Sequence, residues 1–116
     1  MNKSIKNALN GLFRAFATQK SLWIQSLISI VAVVAGFYFS LSRLDWLALV
    51  ICIGTVIGAE LFNTAIEEVV NFISPEYHIQ AGLIKDIAAG AVLFLAIIAV
   101  FVGGLIFIPK VVALFP

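Results

Sequence analysis

Charge is what this sequence has least of: seven Lys and Arg and six Asp and Glu are spread over 116 residues, while 63% of the chain is hydrophobic. A water-soluble domain of this length cannot bury that much apolar surface, and a mean hydropathy of +1.16 places the chain in the bilayer class. The near-neutral balance of +1 excludes a nucleic-acid partner held by charge. There is one cysteine, Cys52, so no intrachain disulfide can form, and its place in an apolar run reads as a small buried apolar residue. His78 is the one histidine, which excludes a histidine-based metal site within a single chain. No P-loop and no GxGxxG occurs, so any nucleotide site must be of another kind. Low-complexity runs, repeats and interdomain linkers are absent too, which predicts a single domain over residues 1–116.

What is present is apolar length. Crossing the hydrocarbon takes roughly 20 helical residues. Residues 22–41, 46–66 and 87–108 qualify, and Pro109 is expected to end the last of them. The run beginning near Leu22 lacks a small-residue cleavage pattern and reads as a retained span, not a signal peptide. Ahead of it, Ile5, Leu9, Leu12, Phe13 and Phe16 recur at helical spacing, with Lys3, Lys6, Asn7, Asn10 and Arg14 between them. That pattern predicts an amphipathic helix over residues 1–20, lying on a membrane surface with a basic polar face. The expected fold is therefore all-α and integral to the membrane, a surface helix followed by three transmembrane helices. Lys3, Lys6, Arg14 and Lys20 precede the first span and Lys85 lies between the second and third, against only Arg43 and Lys110 on the opposite side. The excess predicts a cytoplasmic N-terminus and a cytoplasmic loop over residues 68–85.

Five of the six acidic residues, Glu60, Glu67, Glu68, Glu76 and Asp86, lie between positions 60 and 86. Glu60 falls inside a span, where an ionisable group is costly and marks function more often than packing. Counted from Trp46 it lies about 21 Å along the helix, near the cytoplasmic boundary. There a carboxylate can meet the head group of a lipid that stays in the membrane. Asn63, Glu67 and Asn71 share its helical stripe, with Glu67 about 10 Å nearer the cytoplasm. A stripe from membrane interior to water suits transfer between an aqueous donor and a membrane-borne acceptor. Glu67, at the wet end, is a candidate ligand for Mg²⁺, which prefers carboxylate, water and phosphate oxygens; the plainer alternative is a solvated interfacial glutamate. Lys85 and His78 can contact phosphates, and Asp86 can accept from a ribose or from Lys85. On spacing alone, however, Glu76, Tyr77, His78, Lys85 and Asp86 read as a polar interhelical loop. Gly54 and Gly58 form a GxxxG step, and Ala88–Ala91 open the third span with small residues, a pattern for close helix packing or oligomerisation.

Together these residues resemble a known family. The segment Glu60-Leu-Phe-Asn-Thr-Ala-Ile-Glu67 is similar to the E-x-x-N-[ST]-A-I-E signature of the prokaryotic diacylglycerol kinases. Glu76-Tyr-His78, Lys85-Asp86 and the Ala88-Ala-Gly-Ala-Val92 run resemble its second block. The wording of these blocks looks more like the undecaprenol kinase branch than the enterobacterial diacylglycerol kinases. The resemblance implies a homotrimer with shared active sites that phosphorylates a membrane lipid alcohol, undecaprenol or diacylglycerol, using ATP and Mg²⁺ in a bacterial cytoplasmic membrane. It implies Glu60 as general base, Asn63 in support, Glu67 on the metal, and Glu76, Tyr77, His78, Lys85 and Asp86 around the nucleotide. Two positions depart from the family: Gln19 stands where a metal-side glutamate is expected, and Asn71 where an aspartate is. Both changes remove negative charge from the implied metal site, which leaves an inactive homologue as one alternative. Another is a small proton-coupled transporter using Glu60.

Overall fold

The computed structural model describes residues 2–116, and these form an all-α chain of four helices: α1 (Lys3–Thr18), α2 (Lys20–Tyr38), α3 (Arg43–Ile73) and α4 (Ile79–Val112). The last three are long and apolar enough to cross a membrane. Polar side chains cap α1, α3 and α4 at their N-termini. Asn2 Oδ1 accepts from Ser4 N at 2.8 Å, Ser42 Oγ from Asp45 N at 3.2 Å, and His78 Nδ1 from Gln80 N at 3.1 Å, each satisfying an amide that has no carbonyl one turn back. Asp45 adds a negative charge to the first turn of α3, where the helix dipole favours it.

A single extended residue, Gln19 (φ −110°, ψ 111°), separates α1 from α2. Trp23 staples this elbow by donating its indole N–H to Phe16 O at 2.6 Å, so a carbonyl near the end of α1 is satisfied by a side chain of α2. Ile5 and Phe13 stay exposed on α1, as an apolar face without a protein partner requires.

The α2–α3 hairpin turns through Ser40, whose φ of 54° is the one left-handed backbone angle among the described non-glycine residues. Trp46 folds back over this turn, and Gly36 makes room for it: a Cβ there would lie 2.7 Å from Trp46 Cη2 and 3.0 Å from Leu41 Cδ1. Gly36→Ala is expected to cost about 1–3 kcal/mol by overpacking, read as a lowered apparent Tm in detergent. An unchanged Tm would mean that the indole moves freely. Beside the turn, Leu41, Leu49 and Ile106 form the buried core, flanked by Trp46 and Phe107. Asp45 and Lys110 approach to 3.7 Å at the same end; half-exposed pairs of this kind contribute little.

Two expectations change. The interhelical loop shrinks to Ser74–His78, because α3 continues to Ile73 and α4 begins at Ile79. Nothing from Glu67 to Ile73 breaks a helix, and only Ser74, pushed to φ −132° by the proline that follows, leaves helical space. Lys85 and Asp86 therefore ride on α4. Nor does Pro109 end that helix, which runs to Val112. A proline so near the end forfeits one hydrogen bond, and its own carbonyl still accepts from Ala113 N at 3.1 Å. The Gly54–Gly58 step faces open space: a Cβ on either glycine would meet no neighbouring atom within 4 Å.

Candidate functional site

At 7% exposed, Glu60 is buried in α3, facing α2. Both of its carboxylate oxygens are engaged. Ser21 donates its hydroxyl to Oε1 at 2.6 Å, and Gln25 donates its amide N–H to Oε2 at 3.4 Å. Thr64 bonds back to the Glu60 backbone carbonyl at 2.9 Å, which ties the start of the next turn to this residue.

One turn on, Asn63 is buried and donates Nδ2 to Glu67 Oε1 at 3.4 Å. Its Oδ1 is buried with no hydrogen-bond partner. A buried acceptor beside a carboxylate has the chemistry to take a donor or a cation. Glu67 itself is half-buried, and Glu68 is exposed. The α-helical arithmetic thus brings Glu60, Asn63 and Glu67 onto one stripe.

The remaining candidates are more dispersed. Lys85 donates to Asn71 Oδ1, which joins the last turns of α3 to the second turn of α4. The amide at position 71 is thereby committed to a lysine, and Asp86 is exposed. In the connection, Glu76 and the 87%-exposed Tyr77 are open, and Ser74 Oγ donates to Glu76 O at 3.0 Å. His78 spends Nδ1 on capping α4. Gln19 sits half-buried in the α1–α2 elbow, its side chain making no capping bond. Among the described residues no three His, Cys, Asp or Glu side chains come together as a metal cage. The described residues thus offer a cation one or two oxygen ligands and no closed site.

Two clefts flank the stripe. One of about 840 Å³ lies between α1 and α3, with Arg14, Thr18, Thr64 and Glu68 among its walls. The other, about 320 Å³ and almost wholly apolar, lies among α2, α3 and α4 with Gln25 on its wall.

A family model described as prokaryotic diacylglycerol kinase matches residues 6–107. The chain belongs to that family. As a prokaryotic diacylglycerol kinase family member it is a lipid kinase, and the match takes in every candidate residue from Gln19 to Asp86. It is 35% identical over 108 residues to an undecaprenol kinase of Bacillus subtilis, covering 93% of this chain and 88% of that one. It is 37% identical over 112 residues to a diacylglycerol kinase of Synechocystis, covering 96% of this chain and 64% of that protein. A diacylglycerol kinase of Escherichia coli is 31% identical over 78% of this chain and 74% of its own length.

Sequence reasoning about this lipid kinase missed Ser21 and Gln25. In the sequence Gln25 is a polar interruption of the first span and Ser21 stands just ahead of it, with nothing to say that their face of α2 meets Glu60. The signal that was available is their i, i+4 spacing, which puts two donors on one helical face.

Proposed function

We propose that this chain phosphorylates a membrane lipid alcohol, undecaprenol or diacylglycerol, from ATP with Mg²⁺. The observation that carries the reading is Glu60, a buried carboxylate inside an apolar helix whose two partners are both donors. Glu60 takes the proton of the lipid hydroxyl as the hydroxyl oxygen bonds to the γ-phosphorus. The bond from that phosphorus to the β–γ bridging oxygen breaks, leaving ADP and the lipid phosphate. General-base assistance of this kind is worth about 10²–10⁴-fold, and the remainder of phosphoryl transfer is positioning and charge neutralisation.

Glu67 and the open Oδ1 of Asn63 suit a hard cation held otherwise by water and nucleotide phosphates. Bound there, Mg²⁺ would neutralise phosphate charge. Gln19 joins this set only as a weak amide ligand. Lys85 supplies positive charge to the phosphates, and Glu76, Tyr77, His78 and Asp86 border the nucleotide. Asn71 leaves the charge on Lys85 intact, whereas an aspartate would cancel it. Asn71→Asp is therefore expected to raise the KM for nucleotide severalfold with little change in kcat. An unchanged KM would remove Lys85 from the phosphate site.

The open Gly54–Gly58 step and the many exposed apolar side chains support a homotrimer with shared sites. The bias of basic residues supports a cytoplasmic N-terminus in the bacterial cytoplasmic membrane. The test is transfer of labelled phosphate from ATP by the purified protein in micelles, offering undecaprenol and diacylglycerol separately. Labelled lipid from one acceptor, lost without Mg²⁺, is the expected result. Product from neither, in a correctly assembled protein, would overturn the reading.

A further inference from the structure

We propose that Ser21 and Gln25 are positioning residues that clamp the Glu60 carboxylate from α2, one donor to each oxygen; this rests on Glu60 being the base. The clamp follows from the elbow at Gln19. A serine in an apolar helix ordinarily turns its hydroxyl back on its own helix. Ser29 does so, to Gln25 O at 2.8 Å, and so does Thr55, to Cys52 O at 3.1 Å. Ser21 is the second residue of α2, and the residues three and four positions back, Thr18 and Ala17, belong to α1 on the far side of the bend. Its hydroxyl therefore has no carbonyl of its own helix to reach. It crosses to Glu60, 39 positions away in sequence, at 2.6 Å, within the range of a charge-assisted O–H···O bond.

Gln25 stands one turn further along the same face. Its amide has only one sensible orientation. With Nε2 toward Glu60 it donates to a carboxylate oxygen at 3.4 Å; turned over, it would set oxygen against oxygen. The favoured orientation leaves Oε1 buried with no hydrogen-bond partner. That orphaned oxygen is a cost the fold carries, and Gln25's bond to Glu60 is what it is carried for. Two donors on the two oxygens remove the carboxylate's freedom to swing about its last side-chain bond. A base held this way keeps its aim, and misplacement by about 1 Å is enough to cost on the order of 100-fold in rate.

The clamp is tested in the full-length protein in lipid-doped micelles. Ser21→Ala is expected to lower kcat about tenfold or more, leaving KM for nucleotide and for lipid unchanged. Ser21→Thr, which restores the hydroxyl, is expected to recover most of the lost rate, and Gln25→Leu to lower kcat less than Ser21→Ala does. A second measurement needs no turnover: apparent Tm in the cycle of Ser21→Ala, Glu60→Ala and the double variant, since Glu60→Ala removes the acceptor that Glu60→Gln would keep. Joined side chains give losses that are not additive. Wild-type kcat in Ser21→Ala, a rise in KM alone, or additive losses of Tm would each overturn the clamp. If Glu60→Gln itself stays active, the base assignment fails. If Glu60→Gln is inactive while Ser21→Ala is normal, only the clamp fails.

Discussion

Glu60→Gln is expected to lower lipid phosphorylation by about 10²–10⁴-fold, the contribution of a positioned general base, in a protein that still folds and assembles. The amide replacing the carboxylate has nearly its shape and cannot take the hydroxyl proton. The surroundings can adapt to it. Ser21 can still donate to the remaining oxygen, and Gln25 can turn its amide so that the Oε1 now lacking a donor accepts from the new N–H group. The loss should therefore appear in kcat, with size-exclusion behaviour in detergent unchanged. Full activity would remove Glu60 from the chemistry and return weight to other readings of an intramembrane carboxylate.

Glu67→Ala is expected to be nearly as damaging. Glu67 is the half-buried carboxylate of the stripe, and its neighbour Asn63 already donates to one of its oxygens. Metal-borne charge neutralisation is worth several kcal/mol, and each 1.36 kcal/mol is tenfold, so a fall on the order of 100-fold is expected at Mg²⁺ concentrations that saturate the wild type. Raising Mg²⁺ should recover part of the rate, because water and phosphate oxygens supply most of the ligands of this ion. An unchanged Mg²⁺ dependence would mean that Glu67 is an ordinary solvated glutamate. The two variants separate cleanly: added Mg²⁺ should help Glu67→Ala and do nothing for Glu60→Gln.

The residues that the sequence made legible are those related by position within one helix. Glu60, Asn63 and Glu67 share a stripe because 3.6 residues make a turn, and that arithmetic needs no tertiary information. The apolar spans and the basic amphipathic segment follow from composition and period in the same way. What stayed hidden depends on where one helix meets another. Ser21 and Gln25 reach Glu60 because one face of α2 packs on α3, a pairing that no spacing within α2 encodes. That His78 caps α4 through Nδ1 is likewise invisible in its spacing, and it leaves Nε2 free. Of the two partners open to Asp86, a ribose or Lys85, the second falls away: adjacent residues on a helix do not face each other, and Lys85 reaches across to Asn71. Helix ends were misjudged because hydropathy marks the edge of the hydrocarbon, whereas a helix stops where the chain meets a residue such as Ser74, held out of helical space by Pro75.

The one-residue elbow acts as a depth gauge. Two peptide units separate the last residue of α1 from Lys20, and Ser21 follows at once, so α1 and the Glu60 carboxylate are joined by a tether of only a few residues, each spanning at most about 3.6 Å. The Trp23 staple shortens the slack further. An amphipathic helix settles where its apolar face meets the head groups. With Glu60 as the proposed base and α1 as a surface helix, this tether would register the carboxylate against the plane in which the hydroxyl of a membrane lipid lies.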